Sequence, residues 1–140
     1  MNDDKWYYEF KTLPEKEQIH KVLEVMEEIV NEFGRDFRYQ KHLTDSDDDT
    51  CTYTWDEEPD CLIGRVLYKL GFSMDNLQLL DTVSENDTPL EIIAEPSRDI
   101  TGLSFAVSNV LQQAQRAQDL GMTWGTALDN AKAFVKVYGQ

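Results

Sequence analysis

Three glycines, Gly34, Gly71 and Gly121, each close a run whose apolar residues recur at helical spacing. A chain punctuated in this way folds into short helices, each burying its stripe against a neighbour. The first stripe is Ile19, Val22, Leu23, Met26, Ile29, Val30 and Phe33. Thr12 and Glu15 precede it at capping-box spacing, and Pro14 suits a first turn. A second helix is expected from Pro59, burying Leu62, Ile63, Val66, Leu67 and Leu70 before Gly71. A long run from about Ile100 to Leu120 has Leu103, Val107, Val110, Leu111, Ala114 and Ala117 on its inner face. Thr123 caps a final helix with Trp124, Ala127, Leu128, Ala131, Phe134, Val135 and Tyr138 on one face. The short link at Gly121 predicts that these last two helices form an antiparallel pair.

Weaker signals fill the intervals. Residues 5–11 (KWYYEFK) suggest a short edge strand or a packing arm. Phe37 to Leu43 reads as extended, Thr44 to Thr50 as a loop and Cys51 to Trp55 as a strand, so Phe37–Tyr39 and Thr52–Trp55 are expected to form a hairpin. Ser73 caps a third helix to about Leu80, and Ser84 to Thr88 reads as a loop. Thr88-Pro89 starts a helical turn carrying Leu90, Ile92 and Ile93, and Pro96 interrupts before the long run. The predicted fold is mainly α, a compact helical domain with a small β-hairpin, with α+β as the alternative class. One domain is expected over residues 1–140.

Hydrophobic residues make up 41% of the chain, enough for a core. No apolar run approaches the ~20 residues of a membrane helix. The N-terminus, MNDDKWYYEF, lacks the basic and apolar regions of a secretory signal, which leads to an expected cytoplasmic location. Two cysteines do not make a disulfide scaffold.

The formal net charge is −14, and residues 43–70 contribute −6 of it. No lysine or arginine lies between Leu43 and Gly64. Such a field disfavours direct contact with nucleic acid or an anionic membrane and attracts basic protein surfaces. The candidate contact residues in this segment are Asp45, Asp47, Asp48, Asp49, Asp56, Glu57, Glu58 and Asp60. A second candidate surface is the polar, nearly uncharged face of the Ile100–Leu120 run: Ser108, Asn109, Gln112, Gln113, Gln115 and Gln118. In a chain with 29% charged residues, missing charge suggests a contact. A partner protein or a second copy of the chain would cover it.

Chemistry-bearing patterns are incomplete. Asp60-Cys61 in a first helical turn is where a thiol pKa can fall, and DCLIGRVLYKLG looks like the nucleophile helix of papain-like cell-wall peptidases. The serine after the cysteine is missing, both His20 and His42 precede Cys61, and nearby Glu57, Glu58 and Asp60 oppose the helix effect. A small packed residue is the simpler account. Asp45, Asp47, Asp49 and Asp56 take positions 1, 3, 5 and 12 of a calcium loop, but Thr50 replaces its glycine and a strand replaces its exiting helix. A solvated acidic loop competes with that reading. Cys51, Cys61, His20 and His42 fit no zinc spacing. Gly102-Leu103-Ser104-Phe105-Ala106 lacks the closing glycine of a nucleophile elbow and reads as a helix start. No catalytic residue, metal ligand or cofactor is expected.

The spacing Cys51-x-Tyr53, Pro59-x-Cys61-Leu62-Ile63-Gly64-x-Val66-Leu67, Leu70-Gly71 resembles that of small uncharacterised proteins encoded by phages of actinobacteria. Ala114-Gln115-x-x-Gln118-Asp119-x-Gly121-x-x-Trp124-x-x-Ala127 resembles their C-terminal pattern. The resemblance implies an accessory phage protein made in a bacterial host cytoplasm, with no activity to carry over. Under it, packing explains Tyr53, Pro59, Cys61 and Gly64, with Pro59 fixing a helix start and Gly64 admitting another element, such as the Trp124 helix.

The expected function is therefore a non-enzymatic protein–protein interaction with a host or phage protein, basic in the acidic-surface version. One alternative is a DNA mimic that blocks a nucleic-acid-binding protein. Another is small-molecule binding or sequestration, with Tyr7, Tyr8, Trp55 and Trp124 for stacking. A Cys61-dependent enzyme is the last.

Overall fold

In a computed structural model of the chain, residues 9–40, 52–85 and 88–138 are described. Helix α1 spans Glu15–Phe33 and buries Ile19, Val22, Val25, Met26, Ile29 and Val30, with Leu23 and Phe33 half-buried beside them. Val25 widens the expected stripe. The capping box does not form, because Thr12 Oγ1 donates to the Glu9 carbonyl at 2.8 Å and leaves Pro14 as an N-cap without a side-chain bond. Gly34 ends the helix at φ 98°, where a side chain would be strained. Residues 9–11 are helical rather than extended, and Phe10 is buried. Lys5–Tyr8 and the expected 44–50 loop lie outside the described residues.

The hairpin forms between different partners from those expected. Strand β1 (Thr54–Trp55) pairs antiparallel with β2 (Glu58–Pro59). A two-residue turn closes this pair with less loss of chain entropy than the long Phe37–Thr52 loop would cost. Arg38 instead bridges Thr123 at the start of the last helix.

Helix α2 (Leu62–Lys69) starts later than Pro59, which belongs to β2, and Cys61 is its N-cap residue. Ser73 caps α3 (Met74–Thr82) as expected, accepting from the Asn76 N–H at 3.2 Å. Strands β3 (Ser84–Glu85) and β4 (Thr88–Pro89) form a second small antiparallel ladder in place of the expected loop and helical turn. The residue before a proline avoids the helical region, which suits Thr88 to a strand.

Pro96 does not interrupt the chain. It sits in the first turn of α4 (Glu95–Thr101), where a missing N–H leaves no bond unmade. The break in the expected Ile100–Leu120 run comes at Gly102, which is left-handed with φ 71°. Helix α5 (Phe105–Asp119) then starts at Ser104, which accepts from the Val107 N–H at 3.2 Å. Thr123 likewise caps α6 (Trp124–Tyr138), accepting from the Thr126 N–H at 3.2 Å. Helices α5 and α6 pack on one another across the Gly121 turn, as the short link predicts. Trp124, Ala127, Leu128 and Ala131 are buried and Phe134 and Val135 half-buried, whereas the Tyr138 side chain lies outside the described residues.

Helix α5 is the central element. Its apolar face is buried, and so are Ser108, Gln112, Gln115 and Gln118. The Gln118 Oε1 accepts the Leu62 N–H at 2.8 Å, capping the start of α2 in place of the N-cap residue Cys61, whose side chain does not cap the helix. The Gln115 Oε1 accepts the Ile92 N–H at 2.8 Å, and its Nε2 donates to the Tyr53 hydroxyl at 2.8 Å. The Gln112 Oε1 accepts from Ile93 at 3.4 Å, while its Nε2 donates to Glu91 at 2.6 Å. Charge is missing from this face because it is buried: a neutral amide can satisfy interior backbone donors without the penalty of a buried ion. The expected contact role of Gln112 and Gln115 is thereby overturned.

Gly64 does admit another element, but that element is the hairpin stem rather than the Trp124 helix. A Cβ there would lie 2.1 Å from the Tyr53 carbonyl oxygen. Gly125 serves the approach to α6, where a Cβ would lie 2.8 Å from the Arg35 carbonyl oxygen.

Candidate functional site

The acidic hairpin is held by carboxylates that work inward. The Asp81 carboxylate, on α3, accepts the Tyr53 N–H at 2.7 Å, the Thr54 N–H at 2.9 Å and the Thr54 hydroxyl. Burial raises the Asp81 pKa, against the opposing pull of those hydrogen bonds. On the other side of the stem, Asp60 accepts from the hydroxyls of Tyr39 and Thr52, each at 2.6 Å. Burial, followed by the bond to Asp60, pushes the Tyr39 phenol above its ordinary range, so it stays a neutral donor. Asp60 is thus half-buried and bonded within the chain, which corrects its expected placement on an open contact surface.

At the tip, Asp56 and Glu57 both have positive φ, 54° and 64°, the conformation of a type I′ hairpin turn. Asp56, Glu57 and Glu58 are exposed and make no ion pair with a described residue. Trp55 beside them is 42% exposed. The structure therefore gathers an indole and three carboxylates on one short, anchored turn. Asp45, Asp47, Asp48 and Asp49 lie outside the described residues, so the calcium-loop pattern is represented only by Asp56 in this turn.

The other candidates are dispersed. Asn109 and Gln113 are half-buried and bond to one another at 2.9 Å. Cys61 is fully buried in the core, so its thiol offers a substrate no approach. His20 is exposed on α1, and His42 and Cys51 lie outside the described residues. No group of three or more His, Cys, Asp or Glu side chains is placed to hold a metal among the described residues. Among the stacking candidates Trp124 is only 1% exposed, packed at 5.0 Å from Phe33 and 4.5 Å from Phe37 between ring centroids, so its faces are already covered. Tyr7 and Tyr8 lie outside the described residues.

A cleft of about 550 Å³ next to the hairpin stem is absent from the sequence reading. Its lining includes Phe37, Arg38, Tyr39, Asp60, Arg65 and Trp124. Segment 35–38 crosses the start of α6: the Phe37 carbonyl accepts the Trp124 N–H at 2.8 Å, and the Arg35 carbonyl accepts the Gly125 N–H at 2.9 Å. These bonds satisfy first-turn donors of α6 and bring Arg38 near Arg65, which comes from α2. The run Phe37-Arg38-Tyr39, a base between two aromatics, is the available signal, but nothing local ties it to Arg65. No helix among the described residues is long and apolar enough to cross a membrane. The chain matches no family model, no curated protein and no solved structure.

Proposed function

We propose that this chain is a non-enzymatic interaction protein that docks a basic surface of a partner protein through its hairpin tip. The observation that carries this reading is the exposed Trp55 set beside Asp56, Glu57 and Glu58 on a turn whose stem is tied down by Asp81 and Asp60. Tryptophan is a frequent interface anchor, and flanking carboxylates steer a basic partner. A turn already held in place loses little further freedom on binding.

DNA mimicry, the alternative suggested by charge, has less support. Along α1, Glu24, Glu27 and Glu28 pair with Lys21, Lys132 and Lys69 rather than forming an uninterrupted carboxylate array. The likeness to phage proteins makes actinobacterial host proteins the first pool to search. The immobilised full chain is incubated with such a lysate at low and high salt, beside a Trp55→Ala, Glu57→Gln, Glu58→Gln variant. A partner held by the wild type, released by salt and lost by the variant supports the reading. Identical capture by both proteins overturns it.

A further inference from the structure

We propose that the cleft between residues 36–40 and α2 binds a small organic oxyanion, a carboxylate or a phosphate, through Arg38 and Arg65. This inference is independent of the hairpin reading. The sequence has 27 acidic residues against 13 lysines and arginines, so basic side chains that converge on one cleft stand out against the chain's overall charge. Arg35 pairs with Asp129 at 2.5 Å, and Lys21, Lys69 and Lys132 are likewise paired. Arg38 and Arg65, like Arg98 and Arg116, have no ion pair to a described carboxylate, but only Arg38 and Arg65 share the lining of this cleft.

Backbone acceptors hold both guanidinium groups. An Arg38 Nη1 donates to the Gly121 carbonyl, and the Arg65 Nε donates to the Asp60 carbonyl at 2.8 Å. The Arg65 guanidinium also lies 4.7 Å from the centroid of the Phe33 ring. Each arginine is thereby oriented, with donors remaining for a bidentate acceptor. Of the acids lining the same cleft, Asp60 accepts the Tyr39 and Thr52 hydroxyls, and Asp36 is exposed at its edge. Two acids and two bases leave the lining formally neutral, so an anion entering it is spared the repulsion of the chain's net charge at close range.

An unsatisfied donor belongs to a residue of the same lining. The Trp124 Nε1–H is buried and has no acceptor among the described residues. Buried polar groups rarely go without a partner. An oxyanion brings acceptors for two guanidinium groups and an indole, and the cleft volume falls in the range of small-molecule sites.

The test is an NMR titration of the full chain with inorganic phosphate and, separately, with benzoate, following the Trp124 indole and the arginine Nε–H resonances. Saturable shifts of these resonances with either probe are expected, and the tighter probe identifies the oxyanion. Arg38→Gln and Arg65→Gln should each weaken the midpoint by about tenfold or more, since each removes a charge-assisted contact. Arg38→Lys keeps the charge and should lose less. Absence of saturable shifts with both probes overturns the proposal, as do shifts unchanged in the two glutamine variants.

Discussion

The Gln115 amide and the Tyr53 phenol meet in the interior, with Nε2 donating to the hydroxyl at 2.8 Å and both side chains fully buried. The same hydroxyl donates to the Leu90 carbonyl at 2.8 Å, and the Gln115 Oε1 accepts from Ile92. One side chain thus ties the hairpin stem and the segment before α4 to the central helix. Gln115→Ala strands a buried backbone N–H and opens a cavity, which should cost about 2–4 kcal/mol in urea denaturation. Asn109→Ala on the half-buried side of the helix should cost less than about 1 kcal/mol. Equal losses would contradict the assignment of Gln115 to the scaffold.

Gly64→Ala tests the approach of α2 to the hairpin stem. Alanine favours an isolated helix by about 1 kcal/mol. Here its Cβ would meet the Tyr53 carbonyl oxygen at 2.1 Å, and backbone on both sides must move. A net loss of about 3 kcal/mol or more is expected, and a gain would show that the two segments are not in contact.

The hairpin turn places glutamate in a left-handed conformation that glycine adopts without strain. Glu57→Gly should therefore raise stability by about 1 kcal/mol, read as an upward shift in the thermal midpoint. A fall of that size would mean that the turn is not of the I′ type.

Asp81 gives stability a pH dependence whose sign follows from its burial. Its carboxyl is raised by burial, so folding favours the protonated form. That contribution is complete below the ordinary carboxyl pKa and is lost as pH rises through the raised value. Asp81→Asn cannot titrate. The unfolding free energy of the wild type minus that of Asp81→Asn should fall from acid pH towards neutrality. A flat or rising difference contradicts the direction of the shift.

Local signals in the sequence marked much of the helical framework. Gly34, Ser73, Ser104 and Thr123 each act within a few residues, and each does what its residue type predicts. Long-range partners left no such trace. A glutamine bonded to a backbone N–H 23 or 56 residues away looks like surface when judged by polarity alone, and Gln115 and Gln118 are two such residues. Thr12 was drawn to Glu9 rather than to the α1 start, a choice between neighbouring acceptors that spacing does not decide. The acidic tip was legible in Asp56, Glu57 and Glu58 because their charge acts outward, whereas the arginine cleft depends on tertiary contacts at Phe37 and Trp124.

The most direct test of the central claim compares capture of the same salt-sensitive partner by the wild type, by Trp55→Ala, Glu57→Gln, Glu58→Gln and by Asn109→Ala, Gln113→Ala. Retained far-ultraviolet circular dichroism checks that all of them fold. Loss with the hairpin variant alone is the predicted result. Loss with the α5 variant alone, or capture unchanged by the hairpin substitutions, would contradict the account.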